Sequence, residues 1–485
     1  MSLKIFLMGF LYTFYSADNI LSQNVWTKMY GGNRPDRFYS AKQTSDGGFI
    51  AAGNTFSFGA EGSDVFLVKT DSIGDTLWTR TYPGIDYENA SSVQQTLDGG
   101  YIITGTTGGL ESDILLIKTD SLGELSWLKR YGSQGQDWGN SVQQTTDEGY
   151  FIVGSTDSRT TDFKDFYLIK TDSDGDTLWT KTYGGESIDF GYYGQQTLDG
   201  GYIITGATIS FGAGGADAWL LKTDSMGDTL WTRTYGGESA DDASCVKQTI
   251  DGGYVLAGAK RPTSGDNVNV WLIKTDSIGN THWTRMYGGI EDDLANYVSL
   301  TSDGGYIIAG RTGFSLNSNA LLIKTDESGD TLWTKVYGGS DEDNFNSVEQ
   351  TTDGGYIAAG TTESFGFGYS DGWLMKTDSI GNTKLELPTS VEEQEVIPIK
   401  NGLIQNYPNP FNPSTTIKFF VDKGAEVLLE VSDLSGQKLE VLVNEYKPAG
   451  SYEVGFDGSS YSSGVYIYNI KIGEYFYSEK MVLLK

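Results

Sequence analysis

Strand-length segments that are apolar almost throughout, such as FIAAG from Phe49 and YIITG from Tyr101 and Tyr202, recur along the chain. They alternate with segments like TLWTRTY from Thr76, in which large side chains fall on every second residue. The first kind fits a strand buried on both faces; the second fits a strand with one face in water. Between them lie two turn signals, T-x-D-G-G and D-S-x-G-D, and one loop of variable length. A unit therefore reads as four strands: a polar strand such as SVQQT, a buried strand, a second buried strand such as DAWLLKTD from Asp217, and the alternating tryptophan strand. Gly in D-S-x-G suits the positive φ of a type I turn with a G1 bulge, so each unit holds two tight hairpins in an antiparallel meander.

The tryptophans Trp26, Trp78, Trp127, Trp179, Trp231, Trp283 and Trp333 are spaced by 52, 49, 52, 52, 52 and 50 residues, and a further 52 leads to Leu385 in a degraded eighth copy. A period near 50 with four strands is the signature of a propeller blade, and single blades do not bury their own faces. The expectation is all-β: a seven-bladed β-propeller over 24–388, a linker over 389–405 and a small immunoglobulin-like β-sandwich over 406–485. Seven complete sets of the first three strands stand against eight tryptophan strands. NVWTKMY, from Asn24, is thus placed to complete the last blade and close the ring. On a strand such as TLWTRTY, Trp78, Arg80 and Tyr82 share one face, which makes the seven tryptophans wedges between blades.

Composition narrows the partners. With 64 acidic and 34 basic residues the formal charge is −30, which repels nucleic acid and anionic membrane surfaces. The single cysteine, Cys245, excludes an intramolecular disulfide and a cysteine-based metal site. At the start, Lys4 precedes an apolar run from Ile5 to about Tyr15 and then small and polar residues, the layout of a secretory signal peptide over 1–23. No other run is long enough to span a membrane, so the mature chain is expected to have no membrane-spanning segment.

Five of the nine prolines, Pro388, Pro398, Pro408, Pro410 and Pro413, mark the passage into a domain of different texture. NYPNPFNPSTTIKF from Asn406, VSDLSGQKL from Val431, SSGVYIYNI from Ser462 and the terminal KMVLLK resemble, in order and spacing, the type IX secretion (Por-type) C-terminal sorting domain. The flagellar-hook-capping immunoglobulin-like domain shares part of this pattern. The resemblance implies recognition by an outer-membrane translocon, a bacterial source and a secreted or outer-surface location, with anchoring as a possible last step. The K-T-D-x-x-G-x-x-L-W element is similar to the repeat of quinoprotein-like propellers over about ten residues per blade. It does not carry over the quinone, because no blade diverges to supply a singular pocket, and no cofactor is expected.

Two groups of residues are candidates for binding. An acid opens each polar strand: Asp36, Glu88, Asp137, Asp189, Asp241, Asp293 and Asp343. These acids either ring one mouth of the central channel, where carboxylates hold a hydrated divalent cation, or cap their own loops. A second series, Asp64, Asp113, Asp165, Asp217, Asn269, Asn319 and Asp371, precedes the K-T-D lysines, and its two amides fit loop capping. The variable loops carry Phe56, Phe58, Phe163, Phe211, Phe314, Phe365, Phe367 and Tyr369, which either stack on a ligand or pack at the loop base. The only histidine, His282, replaces a strand leucine, and the carboxylates are nearly all repeated, whereas catalysis needs one asymmetric constellation. The expectation is a binding protein and not an enzyme, with glycan, peptide or envelope protein as ligand. The alternatives are a glycan-active hydrolase or lyase and a purely structural surface protein.

Overall fold

A computed structural model describes residues 24–384 and 402–485, apart from 60–61, 83–86, 110, 133–134, 158–162, 262–266, 314–316, 408–410, 422–423, 435–436, 449 and 474. The proposed signal peptide, most of the linker, Phe314 and the strand at Leu385 lie outside the described residues. Contacts divide the chain into Met1–Pro388 and Thr389–Lys485. Among the described residues no helix is long and apolar enough to cross a membrane.

The first unit is seven four-stranded antiparallel sheets. Blade 1 runs Asp36–Gln43, Phe49–Thr55, Asp64–Thr70 and Thr76–Tyr82, and blades 2 to 6 repeat it from Asn89, Asp137, Asp189, Asp242 and Asp293. Blade 7 takes three strands, from Asp343, Tyr356 and Asp371, and its outer strand is Trp26–Tyr30 from the other end of the chain. Trp26 lies opposite Lys376 and Tyr30 opposite Gly372, so the ring closes as the strand count predicts.

Three devices join neighbouring blades and are spelled in the repeat, the third being absent between blades 5 and 6, where Leu300 replaces the glutamine. Each tryptophan meets an aromatic ring of the following blade: Trp78 on Tyr101 at 5.8 Å, Trp179 on Tyr202 at 5.7 Å and, at closure, Trp26 on Phe49 at 5.6 Å. On the same strand face Tyr82 donates to the Gly123 carbonyl at 2.6 Å, and Arg80 lies 5.4 Å over Trp78 while reaching Glu124. Gly74, at φ +80°, bends the hairpin that receives this face, and a Cβ there meets the Trp26 ring at 2.9 Å. At the opposite end of the radius, inner-strand glutamines accept from the backbone of the preceding blade: Gln95 from Ser45 at 2.8 Å and, across the closure, Gln43 from Thr352 at 2.9 Å.

Within each blade the K-T-D lysine is buried and pairs with the T-x-D-G-G aspartate, from Lys69 with Asp46 at 2.9 Å to Lys376 with Asp353 at 2.9 Å. Burial opposes the charge of these aspartates. The Thr44 hydroxyl, the Lys69 ammonium and the Gly48 N–H outweigh it and hold Asp46 at about 2, and Asp98, Asp251 and Asp303 also stand at about 2. A depressed carboxylate stabilises the fold above its unfolded value and ceases to do so as it is protonated. Melting temperature is therefore expected to fall between about pH 4 and pH 2. Calorimetry across that range checks it, and an Asp251→Asn variant should show a shallower fall.

The second unit is two sheets. Gly402–Tyr407, Ser414–Val421 and Gly450–Asp457 form one; Lys438–Lys447, Ala425–Asp433, Gly464–Ile472 and Tyr475–Leu483 form the other. Ile417, Phe419, Leu429, Val431, Phe456, Tyr468 and Met481 are buried in one shared core. The terminal motif is part of it: Leu483 is buried and Leu484 donates to the Phe411 carbonyl at 3.0 Å.

Candidate functional site

The seven acids do not line the channel mouth, which corrects the first of their two expected roles. Each is almost fully buried, from 0% exposed at Asp36 to 5% at Asp293. Asp36 accepts from Gly32 N–H at 2.7 Å, Ser57 Oγ at 2.6 Å and the Thr55 hydroxyl; Asp189 accepts from Gly185 N–H at 2.9 Å and Ser210 Oγ at 2.7 Å. They pin the loop that enters the inner strand to the variable loop of the same blade. Asp371 and Asp217 of the second series cap their own variable loops, Asp371 accepting from Phe367 and Gly368 N–H at 2.8 and 3.2 Å and Asp217 from Ala213 N–H at 2.7 Å. Asp36 and Asp371 both crowd Gly31, where a Cβ would lie 2.3 Å from Asp371 Oδ1 and 2.6 Å from Asp36 Oδ2, so this position takes glycine. Burial first, and then the facing Asp36, Asp137 or Asp189, raises the pKa of Asp371, Asp113 and Asp165. No group of three or more metal-ligating side chains exists among the described residues.

These contacts place the variable loops beside the starts of the inner strands. The N–H of Asp137 donates to Ser112 and that of Asp189 to Lys164, each acceptor ending a loop of the preceding blade. The loop aromatics divide in two. Phe58, Phe211 and Phe365 fold back on rings of their own blades, Phe66 at 5.7 Å, Trp219 at 5.2 Å and Trp373 at 6.1 Å, and Phe56 leans on Tyr87. Phe58 and Phe211 remain partly exposed, as Phe163 and Phe367 are, and Tyr369 is the most exposed of the set at 81%.

The channel itself breaks the repeat. A cavity of about 510 Å³ is lined by inner-strand residues of all seven blades. Where the repeat reads S-V-Q-Q, the serine becomes Tyr193, Cys245 and Tyr297 in blades 4 to 6, and the first glutamine becomes Lys42, Lys247, Ser299 and Glu349 in blades 1, 5, 6 and 7. These substitutions meet. Lys42 pairs with Glu349 and donates to Tyr297 Oη at 3.0 Å; Lys247 donates to Tyr297 Oη at 2.9 Å and to Tyr193 Oη. The phenol rings of Tyr193 and Tyr297 cross edge to face at 5.6 Å, and Cys245, from the blade between theirs, is fully buried in the same cluster. Burial opposes both ammonium charges, but Glu349 beside Lys42, and the oxygens of Tyr193 and Tyr297 beside Lys247, outweigh it and raise both pKa values.

The opposite wall keeps the repeat's polar residues. Gln94 and Gln143 use their carbonyl oxygens to hold Gln144 N–H at 2.8 Å and Gln196 N–H at 2.7 Å, which leaves their amide N–H groups to the cavity. Toward the loop side, Lys164 lies 3.7 Å over the Trp138 ring and 5.2 Å over Phe190, whose ring stacks near Tyr192. In blade 5, Asp242 is held at about 6, because burial disfavours its charge and Asp241 adjoins it. No one blade supplies this pocket; the divergence lies in single inner-strand positions spread over several blades. The signal was present in the S-V-Q-Q columns, where lysine, tyrosine and glutamate replace serine and glutamine.

The class of protein follows: a closed seven-bladed β-propeller with an unrepeated polar channel, followed by a β-sandwich. Residues 405–484 match the family described as the secretion system C-terminal sorting domain, and the protein is exported to the cell surface or released. Over 130 residues the chain is 28% identical to the regulatory protein FlaEY of Caulobacter vibrioides, a match to 24% of this chain and 13% of that relative. Among solved structures, PorZ, an essential bacterial surface component of the type IX secretion system of Porphyromonas gingivalis, is 12% identical with a TM-score of 0.42. That likeness covers 94% of this chain and 60% of PorZ. Sqt1 from Chaetomium thermophilum is 12% identical with a TM-score of 0.44, over 81% of this chain and 97% of that one. Removing 405–485 is expected to abolish delivery of the propeller to the surface or medium, and immunoblots of cell fractions read the outcome.

Proposed function

We propose that the propeller is a binding protein that takes a glycan into its channel from the loop side and performs no turnover. One observation carries the reading: the buried layers of the blades are near copies, while single channel-facing positions, Lys42, Tyr193, Lys247, Tyr297 and Glu349, depart from the repeat. Folding needs explain a residue written seven times, but not one written once. Amide and hydroxyl groups around a cavity of about 510 Å³ match the hydroxyls of a sugar, and Tyr192, Trp138 and Phe190 supply aromatic surface beside it. The variable loops form the rim.

Glycan-array binding by the secreted chain tests this, with hydrolysis assays on every hit. The expected result is saturable binding that Gln143→Ala weakens about tenfold, the loss of one hydrogen bond to the ligand. Asp242 favours one other reading, because an unrepeated carboxyl at about 6 suits a general acid. Turnover of a bound glycan that Asp242→Asn abolishes would replace the binding reading with that of a hydrolase or lyase.

A further inference from the structure

The channel holds positive charge in a chain whose formal charge is −30. Two ammonium groups, Lys42 and Lys247, reach the same phenol oxygen of Tyr297 at 3.0 and 2.9 Å. One carboxylate, Glu349, is present, and it pairs with Lys42. Lys247 is bonded to the hydroxyls of Tyr193 and Tyr297, and among the described residues the one carboxylate of the lining, Glu349, pairs with Lys42 instead. A half-buried ammonium group whose partners are hydroxyls keeps the capacity to donate to an anionic ligand that enters the channel.

The fold does not require this charge. Gln94, Gln143, Gln195 and Ser299 occupy the same position in four other blades, and their strands pair in the same register. The geometry is that of an ammonium pair with one carboxylate seated and one missing. Resting on the channel as the glycan site, we propose that its ligand carries a uronic acid residue, whose carboxylate accepts from Lys247 beside the Lys42–Glu349 pair while its ring hydroxyls bond Gln94, Gln143 and Gln195. The Lys42 to Glu349 pair shows that a carboxylate fits against this floor. Glutamine amides and serine hydroxyls along the wall suit vicinal hydroxyls and offer no apolar pocket for a peptide side chain.

The test titrates the secreted full chain by calorimetry with trigalacturonate, a sulfated trisaccharide, a neutral trisaccharide and triglutamate, at low and moderate salt. Trigalacturonate should bind at least about tenfold tighter than the neutral sugar, the worth of one charge-assisted hydrogen bond. Lys247→Gln, which restores the repeat, should remove that preference and its salt dependence without lowering the melting temperature. Lys42→Gln paired with Glu349→Gln, which leaves Lys247 in place, should retain most of the preference. Equal binding of neutral and uronate sugars would overturn the uronate inference and leave the glycan reading standing. Tighter binding of the sulfated sugar would overturn the carboxylate, and tighter binding of triglutamate would overturn the saccharide. Binding of none of the four would overturn both the inference and the reading beneath it.

Discussion

A chain that begins at Gly31 is expected to lose its cooperative unfolding transition. Removing Trp26–Tyr30 exposes the edge of the Asp371–Thr377 strand and strips the outer strand from blade 7. It also removes the Trp26 contact with Phe49, the Tyr30 bond to the Gly74 carbonyl at 2.6 Å and the Lys28 pair with Asp75. In a ring each blade is stabilised by two neighbours, so opening one junction leaves two unpaired blade faces. Trp26→Ala alone is expected to cost about 3 to 5 kcal/mol, because it empties a buried, aromatic-lined site. Urea denaturation reads both variants, and a synthetic peptide covering 24–31 should restore the transition of the shortened chain. Unchanged denaturation of the shortened chain would mean that the outer strand of blade 7 comes from elsewhere.

Asp189→Ala should destabilise the protein by about 2 kcal/mol, since it leaves the half-buried Gly185 N–H and Ser210 hydroxyl without their acceptor. Asp189→Asn keeps one acceptor oxygen and removes the charge that raises Asp165, so its cost is expected to be much smaller. A chelator or added calcium should leave the melting temperature unchanged, as fits acids that cap loops. A cation-holding ring gives the opposite pattern: loss of calcium stabilisation in both variants. Thermal melts of the three proteins, with and without calcium, separate the two cases.

The period of the tryptophans, the two turn signals and the surplus outer strand make the closed ring legible in the sequence. Trp78, Arg80 and Tyr82 share a face because a strand alternates, and that face is the one that docks. The acids were harder to read. An aspartate at the start of an inner strand has the same sequence appearance whether it points into the channel or back into its own loop. The Thr55 and Ser57 hydroxyls that claim Asp36 come from a loop some twenty residues away. The partnership of Lys69 with Asp46 was missed for a similar reason, because the two residues sit in different halves of the unit and meet only when the blade forms. The channel cluster was missed because repeats draw the eye to what they share. Lys42, Tyr193, Lys247, Tyr297 and Glu349 are single departures in separate blades, and only closure of the ring brings them together.

The division between a repeated scaffold and an unrepeated site is tested most directly by writing the repeat back into the channel. One variant carries Lys42→Gln, Tyr193→Ser, Lys247→Gln, Tyr297→Ser and Glu349→Gln, each taken from a sister blade. Calorimetric titration with the best-binding glycan is measured beside its thermal melt. The account predicts a propeller that melts within a few degrees of the natural protein and no longer binds. Undiminished glycan binding by that folded variant would contradict it.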